Sequence, residues 1–82
     1  MYEIITKQNG KMVKGGRIVL AKQSLAYRTF DIRKKDLVSS LLLFWPIITI
    51  VGNTSEKMMV SVQKSLSGVI DTYTIEIKEL ST

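Results

Sequence analysis

Lysine and arginine are the residues in this sequence whose number and placement could do chemistry. The 82-residue chain has no histidine and no cysteine, so imidazole general bases, thiol nucleophiles, zinc fingers and disulfide frameworks are all excluded. Seven acidic residues are scattered, and serine and threonine have no histidine to activate them. The expectation is a protein that is not an enzyme and needs neither cofactor nor metal. What remains is charge. Residues 1–35 hold Lys7, Lys11, Lys14, Arg17, Lys22, Arg28, Arg33, Lys34 and Lys35 against Glu3 and Asp31, a balance of +7 within a chain of net +5. The rest holds Lys57, Lys64 and Lys78 against Asp36, Glu56, Asp71, Glu76 and Glu79, a balance of −2. Such a gradient points the N-terminal half at an anionic partner, a nucleic acid or an acidic protein surface. Lys11, Lys14, Arg17, Arg28, Arg33, Lys34 and Lys35 are the candidate contacts. The bland alternative is a solvated basic face that serves solubility.

Those side chains need a frame, and alternation supplies most of it. Tyr2 to Gln8 reads as a strand, and Asn9-Gly10 as a two-residue hairpin turn, because both residues tolerate positive φ. Lys11 to Lys14 reads as a short return strand. Gly15-Gly16 has the same backbone freedom and predicts a second turn, with a third strand over Arg17 to Lys22. Lys14-Gly15-Gly16-Arg17 could also cradle a phosphate through backbone N–H groups, although it lacks the spacing of a phosphate-binding loop. After a small linker at Gln23-Ser24-Leu25, Ala26 to Ile32 alternates again and predicts a strand, with Tyr27, Thr29 and Asp31 opposite Ala26, Arg28, Phe30 and Ile32. An exposed arginine and tyrosine there could meet phosphate and base.

Leu37 to Gly52 contains sixteen uncharged residues directly after Arg33-Lys34-Lys35-Asp36. As a single helix it would rise about 24 Å, short of the roughly 30 Å hydrocarbon core. The basic flank nonetheless suits a span with its N-terminal side in the cytoplasm. The competing reading divides the run at Pro46, which cannot continue a helix. A helix from about residue 35 to 44 would then present Leu37, Leu41, Phe44 and Trp45 on one face, widened by Val38 and Leu42, and Ile47 to Val51 would be a buried strand. Size favours division, because a span would leave two flanks each too small to fold alone.

Asn53-Thr54-Ser55-Glu56 resembles a helix N-cap box, and Met59, Val62 and Leu66 recur at helical spacing. Met58, Val60 and Val62 also alternate, and the poor helix propensity of Val60-Ser61-Val62 tips residues 55–66 toward a strand. In the last element, Tyr73, Ile75 and Ile77 oppose Thr72, Thr74, Glu76 and Lys78, the pattern of an antiparallel strand with one wet face.

The expected fold is therefore mainly β, of the α+β class: one small domain over 1–82, with an antiparallel sheet or partial barrel of five to seven strands closed by one helix near 35–44. The early charges break up any secretory signal core, which points to the cytoplasm. The functional expectation is a small basic binding module. Its alternatives are an accessory subunit acting by homo-oligomeric assembly, in the style of a phage or mobile-element protein, and a short single-span membrane protein.

Overall fold

The computed structural model describes residues 1–45, 47–63, 68 and 70–80. Two strands come first, β1 (Tyr2–Gln8) and β2 (Lys11–Leu20), followed by one helix, α1 (Gln23–Phe44). Three more strands complete the chain: β3 (Ile47–Asn53), β4 (Lys57–Gln63) and β5 (Ile70–Glu79). They form one antiparallel sheet in the order β2-β1-β5-β4-β3, so the first strand inserts beside the last. The fold is mainly β with one helix, an open sheet rather than a barrel, and β2 and β3 are its two edges.

Period-two alternation divides the sheet into a covered and an open face. Ile4, Met58, Val60, Val62, Ile75 and Ile77 face α1 and are almost completely buried with Ala26, Phe30 and Leu41. The helix buries residues at 26, 30 and 41, with Leu37 and Val38 packed against them, a stripe of 3.6-residue period. Nothing local announces its start. Lys22 occupies the N-cap position without a side-chain cap, and the first turn contains no acid. Packing against the sheet therefore holds this end.

Four expectations change here. Residues 26–32 are helix, not strand: spacings of four and eleven residues place Ala26, Phe30 and Leu41 on one helical stripe, while Arg28 and Ile32 project to solvent. The helix accordingly begins at Gln23, well before residue 35. β3 is an edge strand rather than a buried one, since only Ile48 is half-buried. Phe44 and Leu42 lie past the covered part of the sheet and are exposed, whereas Leu41 is buried. The break expected near Pro46 holds, with α1 ending at Phe44 and β3 beginning at Ile47. Among the described residues, no helix is long and apolar enough to cross a membrane.

Asn9-Gly10 is the expected turn, with φ of 52° and 84°. The Asn9 side chain also extends β5: its Oδ1 accepts from Thr72 N at 2.8 Å, and its Nδ2 donates to buried Asp71 at 2.9 Å. Thr54 closes the β3–β4 connection instead of capping a helix, its Oγ1 accepting from the backbone N–H groups of Glu56 and Lys57. Residues 57–63 are strand, as the alternation of Met58, Val60 and Val62 required. Residues 64–66 lie outside the described residues.

Gly15-Gly16 does not reverse the chain. β2 runs straight through as a bulge, with Arg17 opposite Ile5 and Met12 opposite Lys7, so four residues of β2 stand against Thr6 alone. Gly15 takes the left-handed conformation at φ 71°. A Cβ on Gly16 would lie 2.7 Å from the Thr6 carbonyl oxygen and 2.9 Å from that of Val13. Gly16→Val is therefore expected to lose about 1–3 kcal/mol of stability in urea denaturation. Gly52→Ala, which meets nothing within 4 Å, is expected to be neutral or slightly stabilising. Equal losses from both would contradict the bulge.

Candidate anion-binding face

The seven candidate bases separate into three groups. Lys11, Lys14 and Arg33 come together. Lys11 and Lys14 line one depression at the hairpin tip with Gln8, Asn9, Met12 and Val13. Lys14 also lines a cleft of about 200 Å³ with Gly15, Gly16 and, from the helix, Arg33, Asp36 and Ser40. The bulge creates this neighbourhood by turning Lys14 out of the ladder beside α1. Arg33 reaches it because residues 33, 36, 37 and 40 share the β2-facing flank of the helix.

Arg28 and Lys35 are seven residues apart, two helical turns, and stand exposed on the solvent crest of α1. None of these five bases forms an ion pair or side-chain hydrogen bond among the described residues.

Arg17 and Lys34 are already committed within the fold. Arg17 hydrogen-bonds through Nε to Glu3 on the open face of the sheet, and Lys78 stands 3.5 Å from the same carboxylate. The hydrogen bond from Arg17, reinforced by both positive charges, holds the Glu3 carboxyl below the usual carboxylate range in spite of its burial. Lys34 is largely covered. Its ammonium lies 4.7 Å from the centre of the Phe30 ring and donates to Asn53 Oδ1 at 3.1 Å, with Asp31 at 3.7 Å. It ties α1 to the β3–β4 connection, which makes it a structural lysine.

The aromatic residues offer no stacking platform beside these bases. Tyr27, expected on an exposed strand face, packs edge-on to Tyr2 with ring centres 6.0 Å apart. Tyr73 and Trp45 pack partly buried against the core. Asp36 and Ser40, which the sequence reading did not single out, belong to the Lys14–Arg33 cleft. Their three- and seven-residue spacing from Arg33 is the signal that locates them, once residue 33 is known to be helical. Among the described residues, no cluster of acids could hold a metal ion. No protein-family model matches the chain, and neither a curated protein nor a solved structure matches it, so its chemistry is read from its own residues.

Proposed function

We propose that this chain is a non-enzymatic binding module that docks the phosphate backbone of a nucleic acid on the face formed by the β2 edge and the outer side of α1. The observation that supports this reading is the meeting of Lys11, Lys14 and Arg33 beside the bulge, exposed and without ion pairs among the described residues, with Arg28 and Lys35 also exposed on the outer side of α1. The 46 Å long axis of the molecule suits contacts spread along a backbone. With no aromatic platform beside the bases, the contacts are to phosphate, and sequence preference is weak.

Fluorescence anisotropy of a labelled mixed-sequence duplex, measured from 50 to 200 mM salt, tests this. Five phosphate contacts at about 0.9 each give a slope of log affinity against log salt near −4.5, alike for unrelated sequences. Absence of binding at the lowest salt, or affinity indifferent to salt, would contradict it. A preference for polyglutamate over duplex at equal charge would move the reading to an acidic protein surface.

A further inference from the structure

The two edges of the sheet are built differently, and the difference concerns association between chains. The β2 edge has Lys11, Lys14 and Arg17 along it and is broken by the Gly15-Gly16 bulge, two devices that discourage another strand from pairing there. The β3 edge has no charge along it, and its only irregularity is one extra residue, Val51, against β4. From Ile47 to Asn53 it contains no charged residue, and Ile47, Ile50 and Val51 are each about half exposed or more. The last helical turn adds Leu42, Leu43 and Phe44 just ahead of it, with Leu43 81% and Phe44 75% exposed. A groove of about 540 Å³ runs between this edge and α1, its apolar wall Val38 and Ile50 and its charged helix side Asp31, Lys34 and Lys35. Exposed apolar surface of this kind beside an uncharged edge marks an association site.

We infer that β3 pairs antiparallel with β3 of a second copy of this chain, forming a closed dimer with one continuous ten-stranded sheet. Charge selects the copy as occupant. Two chains of net +5 repel wherever their basic faces meet, and antiparallel pairing of a strand with itself sets like residues across a two-fold axis. At β2 that operation opposes lysines to lysines and arginine. At β3 it opposes only uncharged strand residues and leaves Lys11, Lys14 and Arg33 outside the contact, with Lys34 and Lys35 at its helix-side margin beside Asp31. Pairing β3 to the β2 of another copy would propagate a filament, and the bulge and charges of β2 block it. The dimer thus buries the apolar end while doubling the basic face.

Sedimentation velocity over a wide concentration range, without detergent, tests the inference on the full chain. The expected result is an apparent mass rising from one chain to two and no further. Val51→Lys, at a position already exposed and therefore compatible with the fold, is expected to raise the dimer dissociation constant by about a hundredfold or more. Lys14→Glu, on the opposite edge, leaves it unchanged. Hydrogen exchange supplies a second measurement, with the Ile47–Asn53 amides slowing as concentration rises. A monomer throughout with concentration-independent exchange would overturn the proposal, as would a dimer that Val51→Lys leaves intact. A monomer that floats with phosphatidylcholine vesicles, and stops doing so in the Val51→Lys variant, would also overturn it and assign the apolar end to a lipid surface.

Discussion

Phe30→Ala is expected to cost about 3–5 kcal/mol, a large share of the stability available to a domain this small. Phe30 is completely buried at the centre of the helix–sheet contact, beside Ile4, Val60 and Ile75. Truncation leaves a cavity that a rigid sheet and a 22-residue helix cannot close by a small shift. It also removes the ring beneath the Lys34 ammonium, loosening the contact of α1 with Asn53. Phe44→Ala removes the same atoms from a side chain that is 75% exposed, and surface truncations of that kind stay within about 0.5 kcal/mol. Urea denaturation of both variants is the check. Comparable losses would mean that residues 23–44 do not pack as α1 does here.

The second large effect concerns binding. Reversing Lys14 and Arg33 together to glutamate is expected to weaken duplex affinity by roughly a hundredfold at low salt, about tenfold for each reversal, and to flatten the salt dependence by about two contacts. The two side chains border one cleft that already holds Asp36, so reversal gives that cleft three acids and no base. Reversing Lys57 and Lys78 together makes an equal change of charge at exposed positions on the open face of the sheet. Its effect is expected to be several-fold smaller, because it acts only through the net charge. Equal losses from the cleft pair and from a Lys57/Lys78 pair would show that the chain binds by total charge without a defined face.

Much of this organisation was legible in the sequence where one pattern admitted one reading. The alternation of β5 and the Asn9-Gly10 turn each had a single physical cause, and for residues 37–52 the proline at 46 and the small size of the flanks chose division over one long helix. The region from Gly15 to Lys35 did not. Gly15-Gly16 permits a turn or a bulge equally well, and the choice belongs to the pairing of β2 with β1, which no local residue announces. Ala26 to Ile32 satisfies both periods over seven residues. Only the longer window through Leu37 and Leu41 selects the helix, and no N-cap signal marks where it begins. The candidate bases suffered accordingly. Net charge singles out the N-terminal half of the chain, but charge alone does not separate Lys14 and Arg33, which line one cleft beside the bulge, from Arg17 and Lys34, which the fold consumes.

The most direct measurement is an NMR titration of the ¹⁵N-labelled chain with a mixed-sequence duplex at low salt, followed residue by residue. The largest shift changes are expected at Lys11, Lys14, Gly15, Gly16 and Arg33, with smaller ones at Arg28 and Lys35 and a reversal of all of them on adding salt. Changes centred on Lys57, Glu76 and Lys78 of the open face, or none anywhere, would contradict a phosphate-binding face on the β2 edge and α1.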